Sequence, residues 1–195
     1  DAAGRGGRGM RQLALAGTRV VDFSWVVAGP MTTKMLAAMG AEVIKVESTR
    51  RPEFKNRGGY FAVLNNGKRS ITVNIGDQRG QVLLRRLIAM SDVVVENFSR
   101  SVLMKNGLSY EEIRKVRPDI VFCSASGVGR TGPQAEALAY GTLLQGYSGR
   151  AGLVGAINAE MEAMGIVPAW TDPVTAIWEV TAILAALRQI GRAHV

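Results

Sequence analysis

The sequence predicts an α/β protein built on a doubly wound parallel sheet. Three observations predict it. Short β-branched or apolar runs alternate with helical stretches from Arg19 to Ser124. The first crossover, from residues 19–23 to residues 42–46, is short and carries a helix, which makes a right-handed βαβ unit with parallel strands. Residues 92–96 (DVVVE) hold an unbroken apolar run, the pattern of a strand covered on both faces.

The elements follow in order. Residues 19–23 are the first strand and residues 24–29 the turn after it; Pro30 sits where an early helical residue tolerates the loss of its N–H. Residues 31–39 place Met31, Met35, Leu36 and Met39 at helical spacing with Lys34 outside. Gly40 ends this helix as a left-handed cap, and residues 42–46 return to extended structure. Residues 48–59 form a polar, basic loop of the length used for lids and partner contacts. Asn65-Asn66-Gly67 is a turn, and Ile71, Val73 and Ile75 alternate as a strand. Lys68 and Arg69 are candidate phosphate holders or solvated loop charges. Residues 81–90 are a helix with Val82, Leu83, Leu87 and Met90 expected inward and Arg85 and Arg86 outward. Ser109-Tyr110-Glu111-Glu112 opens a helix to Val116 as a capping box, Pro118 stops it, and residues 119–124 are the next strand.

Ligands of such sheets bind beyond the carboxyl ends of the strands, which singles out residues 24–30 and 97–99. A dinucleotide fold with Glu47 on the ribose is not supported, because the first loop lacks the glycine triplet. Residues 127–132 do spell G-x-G-x-x-G after a strand. Pro133 follows, however, and no acidic residue ends a next strand about 20 residues on, so a turn open to close approach is expected. Residues 140–148 are moderately apolar and residues 149–165 glycine-rich. Thr171 or Asp172 is expected to cap a last helix with Pro173 in its first turn and Val174, Ile177, Trp178, Thr181, Leu184 and Leu187 along its apolar side.

The totals bound the function. A chain of 195 residues with 47% hydrophobic and 21% charged residues is sized for one globular domain. Part of the net charge of +8 sits at the ends, on Arg5, Arg8, Arg11 and Arg192, and no aromatic-interleaved basic stripe occurs. Nucleic acid is therefore not the expected partner, whereas a modest positive field suits a phosphate-rich ligand. Cys123 is the sole cysteine, so no internal disulfide forms; within its apolar run it reads as a buried structural thiol. No apolar run reaches the roughly 20 residues of a membrane span, and no signal peptide is evident, so a cytoplasmic location away from membranes is expected. Residues 1–12 read as a disordered Gly/Arg extension, with Met10 as a plausible natural start. Residues 13–189 read as the folded domain. Residues 190–195 (IGRAHV) match the translation of a common sequencing adapter, so His194 is not read as a general base.

From about Leu15 to Leu187 the wording RVVDFSWVVAGP, GAEVIKVE, NNGKRSITVNI, DVVVENF, GLSYEEI, GVGRTGP, AYGTLLQGYSG and the TDP helix resembles the family III CoA-transferases, the CaiB/BaiF group. Members are markedly longer, add a second, smaller domain, and form an interlocked homodimer. The resemblance implies a Rossmann-like large domain cut before that small domain and before the glycine loop of the active site. It also implies CoA and acyl-CoA as substrates with no tightly bound cofactor and no metal. Such enzymes move CoA from an acyl-CoA donor to a small carboxylic acid through an aspartyl mixed anhydride and an aspartyl-CoA thioester, and the family's aspartate falls on Asp172. N–H groups at the helix start suit the developing charge.

The implied CoA contacts are Val26, Val27 and Ala28 at the adenine end, Val73, Asn74 and Ile75 beside the nucleotide, and Asn97, Phe98 and Ser99 in the ENF loop. Lys105 takes a basic position suited to a CoA phosphate, and Tyr140 lies near the pantetheine channel. Transferases often carry an acidic residue after that tyrosine, where this chain has Gly141. Racemases of the family, acting on 2-methylacyl-CoA, pair a histidine with the aspartate where this chain has Tyr140, which leaves two-base proton exchange without its second group. Racemization is the alternative within the family. A non-catalytic CoA- or nucleotide-binding fragment is the alternative outside it.

Overall fold

The computed structural model describes residues 12–50, 55, 57–99, 101–153 and 169–190. The expectations for residues 1–11 and 191–195, and for most of the glycine-rich stretch 149–165, lie outside the described residues. Strands β1 (Arg19–Asp22), β2 (Glu42–Glu47), β3 (Arg69–Thr72), β4 (Val93–Glu96) and β5 (Val121–Ser124) form one parallel sheet in the order β3-β2-β1-β4-β5. The chain winds outward from β1 to β3 and then returns to the other side of β1 to add β4 and β5. The strand order therefore reverses between β1 and β4. A crevice opens there beyond the carboxyl ends, where doubly wound sheets hold ligands.

Alternation along each strand divides the core. Val20, Val43, Val93 and Val95 face α1 (Ala28–Ala38) and α8 (Thr171–Gln189), meeting Leu36, Val180, Ile183 and Leu187. Val21, Phe23 and Val94 face the opposite side, against Leu84, Ile88, Leu103 and Ile113. Between these elements lie the short helices α2 (Tyr60–Leu64), α4 (Ser101–Lys105), α6 (Gly141–Tyr147) and α7 (Arg150–Leu153). Helices α3 (Gln78–Ala89) and α5 (Tyr110–Val116) cover the second face.

Several local expectations hold. Gly40, just past α1, has φ +101°, and Ser109 Oγ accepts the Glu112 N–H at 3.4 Å at the start of α5. Others change. Helix α1 begins at Ala28 and buries Gly29, Pro30, Thr32, Thr33 and Leu36; its methionines are only partly covered. Ladder β3 ends at Thr72, although the side-chain alternation continues through Ile75. On α3 the inward stripe is Gly80, Leu84 and Ile88, while Val82, Leu83 and Met90 are exposed. Gly80 is chosen for closeness: an added Cβ meets Val73 Cγ1 at 3.1 Å and comes nearer still to the Asn74 carbonyl. Asp77 caps this helix by accepting the Arg79 N–H at 2.8 Å.

The last helix also turns a different face inward. Ala176, Glu179, Val180, Ile183 and Leu187 are buried; Val174, Ile177 and Trp178 are exposed. Neither Thr171 nor Asp172 caps it, because the flanking residue is Trp170 and the Thr171 hydroxyl donates instead to the Gly141 carbonyl at 3.1 Å. Glu179 is the unexpected member of the buried stripe. The Thr32 hydroxyl donates to its Oε2 at 2.6 Å, and Oε1 has no hydrogen-bond partner among the described residues. Burial pushes the Glu179 carboxyl up; the Thr32 bond opposes this and Glu96 reinforces it. Among the described residues no helix is long and apolar enough to cross a membrane.

An acid raised in the folded state favours folding while protonated and loses that contribution as pH climbs from its unfolded value through its folded one. Glu179→Gln, an uncharged isostere, should therefore melt with the wild type near about pH 4 and above it at about pH 8. Melting curves across that range check the prediction.

Candidate active site

The crevice is organised by the loop after β1. Asp22, the last residue of that strand, is fully buried. Its Oδ1 accepts the Ser24 N–H at 2.9 Å and the Ser24 hydroxyl at 2.5 Å. Its Oδ2 accepts the Thr33 hydroxyl at 2.7 Å and Lys68 Nζ at 3.0 Å, with Lys45 Nζ 3.9 Å away. Lys45 donates to the Ser24 carbonyl at 2.7 Å; Lys68 donates to the Pro30 carbonyl and to Asn65 Oδ1, both at 2.9 Å. Burial alone drives the Asp22 carboxyl up, but Lys45, Lys68, Ser24 and Thr33 together hold it below the usual range. Burial pushes Lys68 down to about 8, against the pull of Asp22. Lys68 is thus structural, its side chain buried under the loop, whereas Arg69 is a solvated charge that pairs with Glu42 at 2.8 Å.

Asn97 clamps the same loop from β4. Its Oδ1 accepts the Trp25 N–H and its Nδ2 donates to the Trp25 carbonyl, each at 2.8 Å. Val26, held just beyond, has φ +62°, the only positive φ of a non-glycine residue among those described. Glu96 supports the second loop: it accepts the Phe98 N–H at 2.8 Å and Arg130 Nη2 at 2.5 Å, and bonds the Ser124 hydroxyl. Arg130 belongs to the G-x-G-x-x-G stretch, so that stretch is tied to β4 through its arginine, and Gly129 and Gly132 both turn at φ +89°.

Trp25 and Phe98 meet edge to face with ring centroids 5.7 Å apart and stand between two cavities. The first, about 450 Å³, is walled by Val73, Asn74, Ile75 and Phe98 and carries Lys45, Glu47 and Arg50. The second, about 290 Å³, is walled by Val26, Val27, Ala28, Asn97, Phe98, Ser99 and Tyr140 and holds Asp172. A third, about 440 Å³, lies between Val26, Val27, Lys45 and the α2 residues Tyr60 and Phe61. The structure therefore brings every expected site residue but one to the crevice. Lys105 is exposed on α4 and lines neither main cavity, though its neighbour Asn106 lines the first.

The charges are segregated. Among the described residues, Lys45, Arg50 and Glu47 are the charged groups lining the first cavity, Lys45 being committed to Ser24 and Asp22 and Arg50 exposed; those lining the second are Glu136 and Asp172. Glu47 is itself engaged by Arg57 Nη2 at 2.6 Å and by the Ser70 hydroxyl. Asp172 is half-buried in the first turn of α8, and burial raises its carboxyl. No lysine or arginine among the described residues pairs with it. Among the described residues, no three His, Cys, Asp or Glu side chains are grouped to hold a metal. Cys123 is half-buried in β5; burial first, then Glu179 and Glu96, pushes its thiol up to about 12.

The strand order and the crevice between β1 and β4 define a doubly wound, Rossmann-like α/β domain with its site at the switch point. Comparison with known proteins places it further. The model of CoA-transferase family III matches residues 15–194, and the chain belongs to that family. It is 40% identical over 192 residues to the succinate–glutarate CoA-transferase of Agrobacterium fabrum, covering 91% of this chain and 48% of that protein. It is 39% identical over 184 residues to the succinyl-CoA:glutarate CoA-transferase of Mus musculus, covering 90% and 42%. A crystal structure of a CaiB/BaiF family protein from Brucella suis superposes with a TM-score of 0.83 at 36% identity, covering 93% of this chain and 51% of that one. The chain thus spans about half the length of the relatives it matches.

Asp22→Asn removes the carboxylate that faces two buried ammonium groups. Losing one member of a buried ionic cluster costs about 3–5 kcal/mol, so the variant's denaturant midpoint should fall by a corresponding amount. Urea unfolding followed by tryptophan fluorescence checks this.

Proposed function

We propose that the chain is the CoA-binding part of an acyl-CoA:carboxylate CoA-transferase in which Asp172 is the nucleophile. One observation carries the reading. A half-buried carboxylate, unpaired with any cation among the described residues, faces a cavity that adjoins a second one bearing the cations. A thioester on a long phosphorylated carrier needs such a division: positive charge at the phosphate end and a desolvated nucleophile at the acyl end. We accordingly assign the nucleotide end to the cavity of Val73, Asn74 and Ile75. Val26, Val27 and Ala28, expected at the adenine end, lie beside Asp172 and are assigned to the pantetheine end with Tyr140.

The steps follow from the carboxylate. Asp172 attacks the thioester carbonyl and expels CoA thiolate, giving a mixed anhydride. The thiolate attacks the aspartyl carbonyl, releasing the donor acid and leaving an aspartyl-CoA thioester. The acceptor carboxylate attacks that thioester, forming a new anhydride and freeing thiolate again. The thiolate then takes the acyl group and restores Asp172. N–H groups in the first turn of α8 favour the negative charge that develops beside them. The names of the relatives from Agrobacterium and mouse make dicarboxylic acids our proposed donor and acceptor. The interlocked homodimer belongs to the same proposal, supported by the exposed apolar side of α8 at Val174, Ile177 and Trp178.

In a polypeptide extended to the relatives' full length, Asp172→Ala should lose acyl transfer by on the order of 10⁴-fold or more, together with the hydroxylamine-sensitive CoA adduct. Persisting turnover rejects the nucleophile. α-Deuterium uptake from heavy water by a 2-methylacyl-CoA, without exchange into a free acid, would mark a racemase instead. Lys105 lies outside both main cavities but next to Asn106, which lines the first, and we propose that it meets a CoA phosphate at that edge: Lys105→Glu should weaken CoA binding with the fold intact, as a calorimetric titration would register, and an unchanged affinity rejects the contact.

A further inference from the structure

Residue 141 touches the nucleophile in a way that the sequence does not announce. Gly141 is the first residue of α6 and is buried. Its φ is not among the positive values, so backbone freedom does not explain the glycine. Space does. A Cβ added there meets Ala169 Cβ at 2.6 Å and Thr171 Oγ1 at 2.8 Å, and comes nearer still to Asp172 Oδ2. All three partners belong to the segment that opens α8. The Thr171 hydroxyl, bonded to the Gly141 carbonyl at 3.1 Å, locks the two helix starts at that spacing. The flanking Tyr140 and, further along α6, Leu144 wall the same cavity as Asp172. The gap over Gly141 thus sets where the carboxylate stands against the cavity wall.

We propose that Gly141 is a positioning residue for Asp172: the missing side chain makes the space in which the nucleophilic carboxylate is held against the start of α6. The inference rests on the reading of Asp172 given above. It deepens that reading by locating what fixes the carboxylate. A methyl group at 141 must either rotate the carboxylate out of this space or lift α6 from α8. Displacing a reacting group by about 1 Å costs on the order of 100-fold in rate.

The test is a double-mutant cycle with two readouts, made in the extended polypeptide. Gly141→Ala should reduce kcat for acyl transfer by about 100-fold while the affinity for CoA, titrated separately, is unchanged. Its melting penalty should shrink when Asp172 is also replaced by Ala, because the nearest atom it crowds is then gone. A kcat close to wild type, or melting penalties that simply add, overturns the proposal and leaves the role of Asp172 standing. Full transfer by Asp172→Ala alone overturns the nucleophile, whatever residue 141 does. If Gly141→Ala does not fold, recovery of folding in the double variant supports the proposal, and failure of both variants overturns it.

Discussion

The buried contact between Asp22 and its two lysines is the constraint on which the site depends. One carboxylate at the end of the central strand gathers Ser24 from its own loop, Thr33 from α1, Lys45 from β2 and Lys68 from the turn before β3. Each of those groups then binds a second partner, so the loop after β1 is fixed in position by side chains and not by secondary structure. Charges buried in low dielectric are stable only when paired and hydrogen-bonded, so the cluster holds together or fails as a unit. Through Asn97 the constraint passes to β4, and the two loops at the switch point become one rigid floor.

That floor divides one crevice into two compartments. Trp25 and Phe98 rise from it between a cavity furnished with cations and one furnished with carboxylates. The distinction is electrostatic before it is steric. Lys45 and Arg50 stand on one side, while on the other the Asp172 carboxyl is raised by desolvation, with no lysine or arginine paired to it among the described residues. A carboxylate tied to an arginine would be a poorer attacking group.

The order of strands and helices was legible because alternating short apolar runs and helical stretches leave few other folds. So were the loops at the strand ends, because the parallel sheet dictates where ligands sit. The inward faces of α3 and α8 were not. Both helices carry apolar residues around more than one side, and the buried stripes include Gly80 and Glu179, which no apolar pattern selects. The buried ions were hidden for a related reason. Lys45 and Glu47 look like solvent-facing residues, yet they continue the buried phase of β2 begun by Val43, and that period of two was the available signal. Arg130 was hidden by the glycines around it, whose spacing read as an open turn and not as an anchor for Glu96.

One quiet feature of the sheet has a practical use. The lone thiol of the polypeptide, on β5, is pushed toward its protonated form by burial first and by two nearby carboxylates second. Reagents that trap thiols react with the ionised form, so the burial that disfavours that form slows their reaction with this thiol. A thiol titration run in the presence of this chain therefore carries little background from the chain itself.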